Sequence, residues 1–194
     1  IYRELMDMNR YYDQLNEDKK RVKNRVHRAL QLTFASYEYG KNRFDFGSKI
    51  AWQLLTIFPH AGIVRQIGDL IAIEDRILEA NIPGVGRVKA QKYARRLLKL
   101  AEQNADGVPV KSDNSRQVSE MARLVLQLDA SQAQQIDRMV ELGRSLPEFS
   151  ILQSIPGFGE STAIRLIGEL GDVRRFNTRQ KLASFVGLDL QEVG

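Results

Sequence analysis

Cysteine is missing from all 194 residues, and histidine occurs only twice, at His27 and His60. The first absence excludes a disulfide scaffold, a thiolate zinc site, an iron–sulfur cluster and a cysteine nucleophile, and it fits a reducing compartment. The second leaves few imidazoles for a metal. Long apolar runs are also absent: none approaches the roughly 18 to 20 residues of a membrane span. The opening IYRELMDMNR lacks the apolar core of a signal peptide, so no membrane partner is expected. No segment alternates with period two and β-branched residues, which argues against a sheet. The chain starts without methionine in what already reads as mid-helix, as an internal part of a longer polypeptide does.

What is present is charge and helical periodicity. The 29 basic and 24 acidic side chains leave a net charge of +5, and 43% of residues are apolar, a globular balance. Leu5, Met8, Tyr12, Leu15, Lys19, Val22, Val26, Ala29 and Thr33 recur at spacings of three and four, the seam of a coiled-coil helix over residues 1–40 that stops near Gly40. A second seam runs through Val118, Met121, Val125, Leu128, Gln132, Gln135, Met139, Leu142 and Leu146, giving a long helix over residues 111–147 that Pro147 ends. The two seams can pair within one chain or across two, and both uses are expected. Between them, residues 41–110 read as a helical insert. A short helix follows Ser48 and closes at Pro59, another runs from about Gly62 to Glu79, and residues 104–110 form a turn-rich connector.

The chain also repeats itself. Ile82-Pro83-Gly84-Val85-Gly86 returns 73 positions later as Ile155-Pro156-Gly157-Phe158-Gly159, each copy followed by a helical pattern with alanine at Ala90 and Ala163. Proline stops the helix before, the first glycine supplies a positive φ, and the second leaves the backbone bare for close approach. The amides that follow open a helix without internal partners and point outward at its positive end, where a phosphate fits. Such a contact holds a sugar-phosphate backbone without reading bases. The same punctuation also serves plain helix-to-helix turns. The fold expected is all-α: long coiled-coil helices, the insert, and a helix-hairpin-helix domain over residues 148–194.

The flanks of the two copies differ. After Gly86 come Arg87, Lys89, Lys92, Arg95, Arg96 and Lys99 with no acid before Leu100. After Gly159 come Glu160, Ser161, Thr162, Arg165 and Glu169, so the second copy relies on the amides around Gly157, Phe158 and Gly159 and on Arg174, Arg175, Arg179 and Lys181 beyond them. The other basic concentration, Lys19-Lys20-Arg21, Lys23, Arg25 and Arg28, lies on the first long helix. Excess cations in two places on a chain of small net charge point to a polyanion, with affinity that falls as salt rises. Ser154, Ser161 and Ser184 have no neighbouring histidine and read as caps or packing, Glu160, Glu169, Asp172 and Asp189 form no ligand set, and no metal site is expected. Trp52 reads as core, His60 as a helix cap and His27 as part of a solvated face.

From Leu152 onward the run LQSIPGFGESTAIRLIGELGDVRRFNTRQKLASFVGLDL, about 40 residues long, resembles the C-terminal transposase domain of the bacterial insertion-sequence family typified by elements one-ten and one-sixteen. The resemblance rests on Ser154 to Gly159, Thr162-Ala163, Gly168 to Asp172, Arg175-Phe176 and Leu182 to Leu188. Lys23-Asn24 with Val26 and Leu30 is similar to the helix that follows the catalytic domain there. The family implies an RNA-guided DNA recombinase with a four-carboxylate RuvC-like domain binding magnesium, a coiled coil joining subunits, and a serine that takes the DNA strand as a phosphoserine. On that likeness the carboxylates are expected before Ile1 and the serine just beyond Gly194, since Gly187-Leu188-Asp189-Leu190 precedes it.

The expected function is therefore the DNA-binding and assembly part of a transposase, inactive alone, in the bacterial cytoplasm at the nucleoid. DNA, a structured guide RNA and a second copy of the chain are its expected partners, with no cofactor of its own and magnesium implied for the full-length protein. The alternative is a non-catalytic helix-hairpin-helix module of the DNA-repair kind.

Overall fold

The computed structural model describes residues 1–185, apart from the side chains of Arg179 and Ala183. Among the described residues the protein is all-α, with no strand. The helices are α1 (Tyr2–Thr33), α2 (Lys49–Ile57), α3 (Ala61–Ile67), α4 (Leu70–Glu79), α5 (Arg87–Glu102), α6 (Asp113–Gly143), α7 (Pro147–Gln153), α8 (Glu160–Leu170) and α9 (Arg179–Phe185). The chain divides into two compact units, Asn16–Ala130 and the pair of segments Ile1–Leu15 with Ser131–Gly194, and the long helices α1 and α6 contribute to both.

In the unit spanning 16–130, the core joins Val22, Val26 and Leu30 of α1 to Val118, Ala122 and Val125 of α6, and both to α2–α5 through Trp52, Leu55, Ile73, Ile77, Ala94 and Leu97. Spacings of three and four put these α1 and α6 residues on one stripe each, and burying the stripes is what holds such long helices. Lys19 donates to Asp129 at 2.8 Å beside them. These stripes are thus covered within the chain. α1 ends at Thr33, seven residues short of Gly40, because the backbone turns there to bury Phe34 and Tyr37, whose hydroxyl donates to the Ala51 carbonyl at 2.6 Å.

The helix read over Gly62–Glu79 is two. Gly68 adopts φ +65° and closes α3, and Asp69 opens α4 by accepting from the Ala72 amide at 2.8 Å. The break resets the phase: Ile73 and Ile77 enter the core, whereas Ile71 stands exposed. His60 caps α3 through Nδ1, which accepts from the Gly62 amide at 2.9 Å, and its Nε2 meets the Val108 carbonyl at 3.0 Å. The connector after α5 is held by Arg65, which donates to the Ala101 carbonyl at 2.6 Å and pairs with Asp106.

In the other unit, Leu5 packs with Met139 and Val140 of α6, Phe149 of α7 and Ala163, Ile164 and Ile167 of α8. Gln135 donates to the Met8 carbonyl at 3.0 Å, and Arg165 reaches Asp13 at 2.8 Å while lying 4.3 Å from the Tyr12 ring centre. Gly168 lets α8 approach α1: a methyl group there would stand 2.8 Å from Asn9 Cβ. Pro147 does not end the long helix. α6 stops at Gly143, and Pro147 is the first residue of α7, since proline forces Leu146 into an extended ψ of 132° and tolerates the first helical turn.

Candidate nucleic-acid interface

The two Pro-Gly copies fold alike. Gly84 and Gly157 take φ values of +75° and +88°, in the left-handed region that glycine enters freely. In each turn the next residue folds back, Val85 donating to the Ile82 carbonyl and Phe158 to the Ile155 carbonyl, both at 3.0 Å. Gly86 and Gly159 then sit as N-caps of α5 and α8 with ψ of −179° and 172°. All four glycines are exposed, and a methyl group built on any of them meets no atom within 4 Å. The first amides of each helix therefore face solvent, the amides of Ala90 and Ala163 being the first to find a carbonyl, at Gly86 and Gly159. Each hairpin belongs to its own unit, the first to 16–130 and the second to the other.

Side chains separate the copies. On α5, Lys92, Arg95 and Lys99 are exposed and have no ion-pair partner among the described residues. With Val88 they form one line at intervals of three and four residues, and Val88 itself is 84% exposed at the helix start. The other three cations of the run have work inside the unit. Arg87 pairs with the largely buried Glu74 at 3.6 Å, Lys89 donates to the Gly84 carbonyl at 2.8 Å and braces the turn, and Arg96 donates to the Asn42 carbonyl at 2.6 Å over the ring of Phe44. Sequence spacing had placed all six as equivalent.

The second copy opens with an acid, Glu160, which pairs with Arg144 at 3.6 Å. Ser161 and Thr162 are exposed in the first turn of α8, and Phe158 is half-buried. Neither Gly86 nor Gly159 offers a side-chain cap, so the open amides are the hairpins' own contribution. Arg174 is engaged by Asp172, whose Oδ1 accepts from its Nε at 2.8 Å and from its amide at 3.0 Å. Those hydrogen bonds hold the Asp172 carboxyl below the usual aspartate range. Arg175 lies 4.7 Å from the ring centres of both Phe176 and Phe185. Lys181 is exposed. The Arg179 side chain and the stretch Gly187-Leu188-Asp189-Leu190 lie outside the described residues.

Two features escaped the sequence. Lys41 and Arg43 stand exposed on the loop that Arg96 ties to α5, adding cations beside the helix from a segment with no periodicity to mark it. His27 is half-exposed on α1 and also has partners: its ring meets Phe46 edge-on at 5.0 Å and its Nδ1 contacts Glu38. Among the described residues no three acidic or histidine side chains gather as a metal site. No helix among them is long and apolar enough to cross a membrane.

No curated protein and no solved structure matches the chain. The second hairpin, however, falls inside residues 149–193, a segment that matches the model of the Transposase IS116/IS110/IS902 family. The turn at Gly157, the exposed start of α8 and the Asp172–Arg174 corner thus lie in a segment similar to that transposase family.

Proposed function

We propose that this chain is the nucleic-acid-binding and assembly part of a transposase that moves DNA, and that the hairpin before α5, not the family-matched one, supplies its main grip on the phosphate backbone. The observation that carries this is the line Val88, Lys92, Arg95 and Lys99, whose three unpaired cations run from open helix amides along about 16 Å of α5. Backbone amides and cations of this kind hold phosphates at any sequence. The second hairpin, with Glu160 at its helix start, contributes exposed amides but little net charge, and acts as the minor contact. Its Ser161 and Thr162 hydroxyls, Arg175 and Lys181 supplement those amides.

Strand exchange itself is assigned to the RuvC-like carboxylates, their magnesium and the serine that the family likeness implies, none of which this proposal places on the described residues. DNA is the partner expected at the bacterial nucleoid, with a structured guide RNA as the second polyanion. Because each chain fills its own seams, a homo-oligomer built on α1 and α6 uses their outward faces.

The test is Val88→Glu. A carboxylate in the first turn of a helix stabilises it by about 0.3–1 kcal/mol, yet here it repels a phosphate from the same amides. Thermal unfolding is expected to stay level or rise while affinity for a short duplex falls at least tenfold by fluorescence anisotropy. Unchanged affinity overturns the assignment.

A further inference from the structure

A cleft of about 380 Å³ opens in the 16–130 unit, walled by His27, Tyr39, Arg43, Asp45 and Phe46. Its volume lies within the roughly 300–1,000 Å³ of small-ligand sites. Most of its rings are already packed. Phe44 is sandwiched between Tyr37, stacked at 4.4 Å, and the Arg96 guanidinium at 4.2 Å, while Phe46 meets Trp52 at 4.7 Å and His27 at 5.0 Å. Tyr39 differs. It is 59% exposed and meets no ring or cation among the described residues, and its hydroxyl is fixed by accepting from Gln31 Nε2 at 3.1 Å. It offers a flat, positioned, unoccupied face.

The polar groups divide in the same way. Glu38 is used by His27 and by Gln31, which donates to it at 3.2 Å. Asp45 accepts from the Gly47 amide through Oδ1 at 2.8 Å, and its Oδ2 has no partner among the described residues. Arg43 is exposed and unpaired. A free aromatic face, a free carboxylate oxygen and a guanidinium together match a flat heterocycle that donates from an amino group and carries an attached anion. A bare phosphate has no use for the ring and is repelled by Asp45 and Glu38. The loop is tied to α5 through Arg96 and the Asn42 carbonyl, so the cleft lies beside the helix assigned to the backbone.

We infer that this cleft takes one unpaired nucleobase bearing an amino group, adenine, cytosine or guanine, from a single strand whose phosphates follow α5. Tyr39 stacks the base, Asp45 Oδ2 accepts from its amino group, and Arg43 meets its phosphate. Thymine and uracil present a carbonyl in place of the amino group and are disfavoured by the carboxylate. This inference rests on the proposed backbone contact along α5.

The experiment measures the full chain by fluorescence anisotropy against oligo-dA, oligo-dC, oligo-dT, their RNA counterparts and a blunt duplex at one salt concentration. The expected result is about tenfold tighter binding of the amino-bearing strands than of oligo-dT, the size of one good base contact. The DNA and RNA arms show which polymer supplies the base. Tyr39→Ala and Asp45→Asn are expected to erase that preference while duplex affinity and the unfolding temperature hold; the asparagine keeps the acceptor for the Gly47 amide. Tyr39→Phe is expected to retain it. Duplex binding with no preference among the strands, or a preference that survives both variants, overturns the cleft assignment and leaves the α5 grip standing. Absence of binding to every polymer overturns both.

Discussion

The guanidinium of Arg96 lies 4.2 Å from the ring centre of Phe44, and its Nε donates to the Asn42 carbonyl at 2.6 Å. A cation that reads in the sequence as one of six polyanion contacts is instead a brace between α5 and the loop before α2. Replacing it exposes the Phe44 ring and leaves a carbonyl unpaired, so Arg96→Ala is expected to cost about 1–2 kcal/mol of unfolding free energy in urea. The slope of nucleic-acid affinity against salt should hardly change. A large change in slope with full stability contradicts the brace.

Gly168 gives a test whose sign decides. An open helical glycine replaced by alanine gains about 1 kcal/mol from propensity. Here the new methyl group would stand 2.8 Å from Asn9 Cβ and 3.1 Å from the Leu5 carbonyl, so α1 and α8 must part. Gly168→Ala is expected to lower stability by about 1–2 kcal/mol net, overpacking exceeding the propensity gain. A rise in melting temperature contradicts the close approach.

The seams make a second stability prediction. Leu30 is fully buried among α1, α6 and the insert. Leu30→Ala is expected to cost about 2–5 kcal/mol, and to leave the mass of the folded species by light scattering unaltered. A change in mass without a loss of stability shows that the seam serves a second chain.

Asp172 contributes to the pH dependence, as do Glu17 and Asp113, which are lowered in the same direction. Hydrogen bonds from the Arg174 side chain and amide depress its folded value, so its contribution to stability is present above the ordinary aspartate value of about 3.9 and is lost as pH falls through the lower folded value. Carboxyl NMR is expected to give a midpoint below about 3.9 for Asp172, rising toward that value in Arg174→Ala. An ordinary midpoint in the unaltered chain contradicts the corner.

What could be read from residue order follows what is local. The apolar stripes of α1 and α6, apart from Leu146 beyond the end of α6, the helix between Ser48 and Pro59 and both Pro-Gly turns are written in spacings of two to four residues. The division of α3 from α4 was hidden because apolar residues continue across Gly68, and only the left-handed conformation there reveals the stop. Pro147 is ambiguous in sequence, since proline both ends helices and begins them. The fate of Arg96 among the α5 cations was beyond reach, because it depends on a loop more than 50 positions away, which carries Asn42 and Phe44. The Tyr39 cleft is likewise an effect of long-range packing on α1.

The most direct measurement is the salt dependence of affinity for a short duplex, for the unaltered chain and for the triple variant Lys92→Ala, Arg95→Ala, Lys99→Ala. Each phosphate contact contributes about 0.9 to the slope of log K against log salt, so losing all three flattens it by about 2.7. That flattening, with the melting temperature kept, is the predicted result. A slope that survives the triple substitution contradicts α5 as the polyanion face and returns the role to the other hairpin or to none.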